Sequence, residues 1–285
     1  MTATRLDVEL VRRGLARSRG QAEEMIRDGR VVVDGRPSPK ASTKVTADTG
    51  IDVRPGEHPD YVGRGALKLD GLLDDLQVAA GLVVGQSGPL APAVAGRRCL
   101  DAGASTGGFT EVLLARGASE VLAVDVGHDQ LAARLRTDPR VQDLPGTTVR
   151  GLSASTIGGR VDLLVADLSF ISLQVVMGDL ANLVTDGGDL LLLVKPQFEV
   201  GRERLGSGGV VRDHQLRADA VQQVARAGLA AGLLVRAMRA SRWPGPSGNV
   251  EYFVWLTVQD GTPVESIAED QLAAAAQQAV EEGPS

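Results

Sequence analysis

The sequence predicts an α/β fold: a mostly parallel seven-stranded sheet with helices on both faces, behind a small N-terminal α+β unit. Three observations predict it. From about residue 97, short apolar runs alternate with amphipathic ones, the pattern of a parallel sheet built from βαβ units. The run Asp101-Ala102-Gly103-Ala104-Ser105-Thr106-Gly107-Gly108-Phe109-Thr110 follows an apolar stretch and opens an amphipathic segment, which reads as strand, glycine turn and helix start. The 285 residues leave room for a domain of about 200 residues and a smaller one.

Residues 1–54 read as two helices followed by strands. Leu6, Leu10, Val11 and Leu15 recur at helical spacing and Gly14 marks an end. Ser18 can cap a second helix carrying Ala22, Met25 and Ile26 and closing at Gly29. Val31-Val32-Val33, the turn Asp34-Gly35 and the stretch Gly50 to Val53 follow as strands. Residues 55–66, with Pro55-Gly56-Glu57-His58-Pro59, have the composition of a linker. The larger domain is expected over 67–260. It begins with a helix near 67–78 and a loop from Gly81 to Gly96, then alternates strands near 97–102, 120–125, 147–150, 161–167, 188–194, 232–239 and 250–258 with helices near 107–116, 128–136, 172–184 and 213–230. No helix separates the last two strands, which should form an antiparallel hairpin at the sheet edge. Residues 261–285 are an Ala-rich helical tail.

Composition narrows the function. A hydrophobic content of 43% with only 3% aromatic residues implies a core of Leu, Val and Ala. The single Cys99 excludes an internal disulfide framework and suits a reducing cytoplasm. It falls within a buried strand, where it is core rather than nucleophile. The N-terminus is polar and charged, unlike a secretory leader, and the apolar run Leu190 to Val194 is far too short to span a bilayer. His58, His128 and His214 are scattered without metal-ligand spacing. Residues 1–54 hold 11 Arg/Lys against 8 Asp/Glu, whereas the rest holds 19 against 28. A basic head on an acidic body fits a nucleic-acid-binding module joined to an enzyme; uneven surface charge is the plainer alternative.

The glycine turn has the spacing G-x-x-x-G-G rather than G-x-G-x-x-G, so it lacks a pyrophosphate finger. Asp125 ends the second strand, where an acid can take both hydroxyls of a ribose. A nucleoside cofactor without a phosphate to cradle is therefore indicated, and D-x-G-x-x-x-G-x-F-T is the pattern of S-adenosylmethionine (SAM) loops. Asp101, Gly103, Ala104, Ser105, Thr106, Gly107, Gly108, Phe109, Asp125, Val126 and Asp167 are the candidate cofactor residues. Seven strands ending in a hairpin also match the Rossmann-like sheet of SAM-dependent methyltransferases better than the six-stranded dinucleotide fold. Ligands of such sheets sit at the carboxyl ends of the strands. There Asp167 ends the fourth strand, Lys195 ends the fifth and Glu251 opens the last. A lysine after five apolar residues needs partners, and Asp167 and Glu251 could supply them. A structural ion pair at the sheet rim is the alternative.

With these residues in hand, the chain resembles the TlyA family of ribosomal RNA 2′-O-methyltransferases, some members of which carry a hemolysin label. The larger domain is similar to the FtsJ-like RNA methyltransferases, and the head to the RNA-binding domain of ribosomal protein S-four. The resemblance rests on Arg5-Leu6-Asp7, Gly14 to Arg19 and Val33-Asp34-Gly35 in the head. In the body it rests on Arg64 to Leu69, Asp101 to Thr110, Val124 to Gly127, Asp167 to Leu173, Lys195 to Gly201, Gly208 to Asp213 and Gly248 to Glu251. It implies a catalytic tetrad of Lys68, Asp167, Lys195 and Glu251, with SAM as methyl donor and S-adenosylhomocysteine as product. It further implies cytidine in small- and large-subunit ribosomal RNA as substrate, in assembled ribosomal subunits. Arg5, Arg17, Arg19, Lys40, Lys44 and Arg64 are the expected RNA-binding residues. The chain departs from the family pattern at Tyr61, His128 and Thr148.

In-line methyl transfer needs a placed 2′-oxygen and help with its proton. Neighbouring carboxylates favour Lys195 as a cation stabilising a developing alkoxide; a neutral Lys195 acting as base is the alternative. Carbon-5 pyrimidine methylation would need a cysteine nucleophile, and base amino-group methylation a Pro-Pro-Tyr/Phe signature after strand four, where Leu168-Ser169-Phe170 stands. Competing classes are a non-catalytic ribosome-assembly factor, a membrane-active hemolysin and a small-molecule methyltransferase. Nothing in the residues sets the oligomeric state.

Overall fold

The computed structural model describes residues 3–16, 19–38, 40–55, 60–82, 91–245 and 247–284. The chain divides into two compact units, residues 1–60 and 61–285.

In the first unit, β1 (Thr4–Arg5) leads directly into α1 (Leu6–Arg12), and α2 (Arg19–Arg27) follows. Strands β2 (Val31–Val33), β3 (Arg36–Pro37), β4 (Lys44–Val45) and β5 (Ile51–Val53) complete it. β2 pairs antiparallel with both β3 and β5, and β1 pairs antiparallel with β4. Leu6 and Leu10 of α1 meet Ala22, Met25 and Ile26 of α2 and Val31 and Val45 from the strands in one small core. α1 ends three residues before Leu15 because Gly14 turns the chain at φ 71°, a conformation that favours glycine.

The second unit opens with α3 (Gly65–Leu82), then β6 (Arg98–Ala102), α4 (Gly108–Ala115), β7 (Glu120–Asp125), α5 (Ala133–Arg136), β8 (Val141–Pro145), β9 (Val161–Ala166), α6 (Leu173–Asn182) and β10 (Val184–Val194). It closes with α7 (Pro196–Glu199), α8 (His214–Ala230), β11 (Leu233–Ala240), β12 (Tyr252–Val258) and α9 (Leu272–Glu281). The seven strands lie in the order β11-β12-β10-β9-β6-β7-β8. Neighbours from β10 to β8 are parallel, and β12 runs antiparallel to both β10 and β11. The final hairpin thus sits at the edge, its second strand inserted toward the centre.

Strands buried on both faces read as continuous apolar runs, and Leu163 to Ala166 and Leu190 to Val194 are almost wholly buried. One face carries α3 and α4 through Leu69, Leu73, Phe109 and Leu113. The other carries α6, α8 and α9 through Met177, Leu180, Val221, Val224 and Ala276. The C-terminal helix is therefore part of this core.

Four local readings change. The strand expected near 147–150 lies at Val141–Pro145 instead. The ladder with β7 ends at Pro145, and Gly146 (φ 67°) turns the chain before Thr147. The helix expected over 128–136 is reduced to Ala133–Arg136, because the preceding residues turn, with Asp129 at φ 55°. α3 begins at Gly65 and already includes Gly81 and Leu82. Of the loop expected over Gly81 to Gly96, residues 83–90 lie outside the described residues.

The register aligns the functional ends. Ala102, Ala166, Val124 and Leu192 are ladder neighbours, and Val194 stands opposite Tyr252. Asp125, Asp167, Lys195 and Glu251 therefore emerge along one edge of the sheet.

Candidate active site

The glycine loop joins β6 to α4 in three left-handed steps, at Gly103 (φ 84°), Ser105 (φ 48°) and Gly107 (φ 96°). Only a glycine fits at 103, since a Cβ would stand 2.6 Å from the Asp167 carbonyl oxygen. Asp101 is fully buried, and its Oδ2 accepts from the Thr110 backbone N–H at 2.8 Å and hydroxyl at 2.7 Å. It thus fixes the start of α4 from beneath. Its Oδ1 is a buried atom without a hydrogen-bond partner among the described residues. Burial pushes this carboxyl up to about 7, with Asp167 and Asp125 adding to the rise. Asp125 accepts from the backbone N–H groups of Ser105 (2.8 Å) and Gly127 (2.7 Å). Each of its oxygens keeps a lone pair for a further donor. Val126, beside it, is 70% exposed.

A cavity of about 270 Å³ opens against this loop. Gly103 to Thr106, Gly108 and Phe109 line one side, and Gly63, Arg64, Gly65 and Lys68 another; Asp167, Lys195 and Pro244 complete it. The Gly63 segment is tied down on its N-terminal side: the Tyr61 hydroxyl donates to Asp70 at 2.8 Å, and the Val62 N–H to Glu111 at 2.6 Å. The residues present fit a nucleoside cofactor. Backbone without side chains faces the cavity at Gly63, Gly103 and Gly108, hydroxyls are offered by Ser105 and Thr106, and an acid ends β7.

The structure brings Lys68, Asp167, Lys195 and Glu251 together as two ion pairs. Lys195 Nζ lies 2.6 Å from Asp167 Oδ1 and donates to Ser169 Oγ at 2.9 Å. Lys68 Nζ donates to Glu251 Oε2 at 2.6 Å, with side-chain exposures of 7% and 2%. Glu251 thus serves Lys68 and not, as the strand ends alone suggested, Lys195. The reason is α3, whose first turn carries Lys68 to the end of the sheet at Glu251. Gly245 packs against the Glu251 carboxylate, where a side chain could not fit.

Three residues escaped sequence reasoning. Ser169 is the second partner of Lys195. Phe170, at φ 65° and 91% exposed, holds its ring 5.2 Å from that of Phe198. Glu199, 8% exposed, accepts from the Ser172 hydroxyl, the Leu173 N–H and the Gln174 side chain, binding the loop after β9 to the turn after β10. A phenylalanine placed just past a strand end, where sheet burial stops, was the available signal.

In the head unit, Arg5 and Arg19 both pair with Asp7, and Lys44 stands opposite Arg5 in the β1–β4 ladder. Lys40 and Lys44 are exposed. Arg17 lies outside the described residues. Arg64 belongs to the other unit, exposed at the cavity. Among the described residues no His/Cys/acid group could hold a metal, and no helix is long and apolar enough to cross a membrane.

Comparison with known proteins agrees with this anatomy. The FtsJ-like methyltransferase family matches residues 61–258, and the S4 domain matches residues 4–51. The chain is 51% identical over 280 residues, 98% of each chain, to the 16S/23S rRNA (cytidine-2′-O)-methyltransferase TlyA of Mycobacterium tuberculosis. It is 30% identical to Hemolysin A of Brachyspira hyodysenteriae, over 89% of this chain and 100% of that one. A solved structure from Streptococcus thermophilus with a hemolysin label is 33% identical, covers 99% of this chain and 97% of its own, and superposes with a TM-score of 0.71.

Proposed function

The chain belongs to the TlyA family, an S4 domain joined to an FtsJ-like methyltransferase domain, and from that membership we propose that it methylates the ribose 2′-oxygen of cytidine in ribosomal RNA. The observation that carries this reading is the pair of lysine–carboxylate contacts at the mouth of a glycine-lined cavity. The substrate is the RNA of small and large ribosomal subunits in the cytoplasm, as the Mycobacterium tuberculosis relative is named for 16S and 23S RNA.

S-adenosylmethionine, when bound, supplies a methyl group already activated on its sulfonium. Gly103 to Gly108 and Asp125 would hold it, with Val126 against its base. Lys195 donates one N–H to Ser169 and forms an ion pair with Asp167, which leaves an N–H for a 2′-oxygen in the cavity. There it orients the oxygen and stabilises the charge that develops on it. The hydroxyl proton leaves to solvent, because a lysine engaged as a cation cannot accept it. A rate governed by one essential neutral amine would instead make Lys195 the base.

Asp167 fixes Lys195, and the buried Lys68–Glu251 pair fixes the wall opposite. Phe170 offers an exposed aromatic face on which an unstacked base can rest. Arg5, Arg19, Lys40 and Lys44 of the head supply phosphate contacts that position the RNA.

Digestion of unmodified ribosomal subunits to nucleosides, after incubation with the protein and labelled S-adenosylmethionine, tests the reading. The expected product is 2′-O-methylcytidine. Label in a base methyl group, or none in RNA despite binding of the donor, would contradict it; the second outcome would favour an assembly factor.

A further inference from the structure

We propose that the buried carboxylate of Asp7 is a positioning residue for RNA, holding the guanidinium groups of Arg5 and Arg19 side by side as a preset grip for backbone phosphate. The proposal rests on the reading that the head unit binds RNA.

Asp7 is fully buried, yet it faces two arginines that are 39% and 59% exposed. Arg5 donates through Nε (2.9 Å) and Nη2 (3.0 Å) to its two oxygens. Arg19 donates through Nε (3.2 Å) and Nη2 (2.9 Å) to Oδ2. Both use the same edge of the guanidinium, so the Nη1 group of each stays outside the pair. A planar fork held on one edge loses little entropy when the other edge meets a phosphate.

The neighbouring carboxylate shows the contrast in one of its two arginines. Glu9 pairs with Arg12, which it holds by Nε and Nη2 on one edge at 60% exposure, and with Arg13. Arg13, however, spends its remaining donors on the carbonyls of Thr46, Ala47 and Thr49, which makes it a brace for that turn. Arg5 and Arg19 have no such use among the described contacts.

The surroundings hold more positive charge than Asp7 needs. Arg5 and Lys44 stand directly opposite in the ladder, an arrangement that costs stability between like charges. Lys40 closes the adjoining turn, where its carbonyl accepts from Thr43. One buried acid thus carries two arginines next to two exposed lysines. A fold that required only a paired Asp7 would need one arginine. The exposed Glu23 carboxylate lies within electrostatic reach of Arg5, so four cations meet two acids, and the complement of the net positive face is a polyanion.

Charge counting and positioning predict opposite signs. Asp7→Asn makes the head more positive, so a diffuse electrostatic attraction would tighten RNA binding. Loss of positioning weakens it. The test measures binding of the full-length protein to unmodified ribosomal RNA across a salt series. Asp7→Asn is expected to weaken binding about tenfold at fixed salt, the scale of a lost charge-assisted phosphate contact. Equal or tighter binding would overturn the proposal. Should Asp7→Asn unfold the head, Arg19→Lys keeps the charge at an exposed position but removes the fork. It is expected to weaken binding about threefold while leaving the salt slope unchanged; wild-type affinity would overturn the proposal. An Arg5→Ala/Arg19→Ala double variant with unaltered affinity and salt slope would overturn the prior reading that this face binds RNA.

Discussion

The two units handle charge in opposite ways. In the head, one buried acid holds two arginines and leaves their outer edges in water. At the cavity, each lysine is matched by its own carboxylate, so Lys68, Glu251, Lys195 and Asp167 sum to zero. A surplus of oriented positive charge suits a polyanion and gives salt-dependent affinity. A neutral set suits a hydroxyl, which brings no charge of its own until it reacts. On the proposed reading, affinity for RNA and chemistry on it are assigned to separate residues.

Within the cavity the two pairs also differ. Lys68 touches the cavity but its pair with Glu251 is buried, whereas both members of Lys195–Asp167 line the open space. The buried pair gives the largest expected effect. Glu251→Leu strands a buried ammonium and should cost about 3–5 kcal/mol by urea unfolding. Adding Lys68→Met should recover most of that stability without recovering methyl transfer. Equal stability of both variants would break the distinction between a framework pair and a working one.

Next in size, Arg5→Ala and Arg19→Ala should each lower the slope of log binding constant against log salt by about 0.7–0.9. The KM for RNA should rise more than kcat falls. If kcat alone changed, affinity and chemistry would not be divided as described.

A third effect concerns Asp101, whose carboxyl is held near 7 by burial. The unfolded chain releases this proton near 3.8, whereas the folded chain keeps it. Its contribution to stability is therefore complete below that pH and is lost as the pH climbs to about 7. Asp101→Asn keeps an acceptor for Thr110 and removes the titration. Its melting temperature relative to wild type should rise between pH 5 and 7 and then level off. A difference independent of pH would show that Asp101 does not titrate there. In the head, arginine contacts hold Asp7 down at about 2, so its contribution persists until far lower pH.

Much of this was legible in the sequence because burial writes itself into apolar runs. The central strands, the glycine loop and the acids at strand ends stood out by position. Lys68 did not: it lies on a helix, and its partner Glu251 is 183 residues away. Only the family resemblance marked it. The true pairing also escaped, since strand ends give neighbours within a sheet but not the helix laid over them. β8 was misplaced by a few residues, since Val141 to Leu144 alternate only partly buried side chains and end in Pro145-Gly146. Ser169 sits in a loop whose shape follows from the Glu199 contacts, a tertiary effect with no local signal, whereas Phe170 was marked only by its place just past a strand end.

The central claim is that Lys195 acts on the 2′-oxygen and not on binding. Single-turnover methyl transfer to unmodified ribosomal subunits should be compared for wild type and Lys195→Ala, beside the affinity of each for S-adenosylmethionine and RNA. A loss of about 10²- to 10³-fold in the rate, the scale of removing one such stabilising donor, with both affinities retained, is the predicted result. A variant that transfers methyl at the wild-type rate would contradict the account.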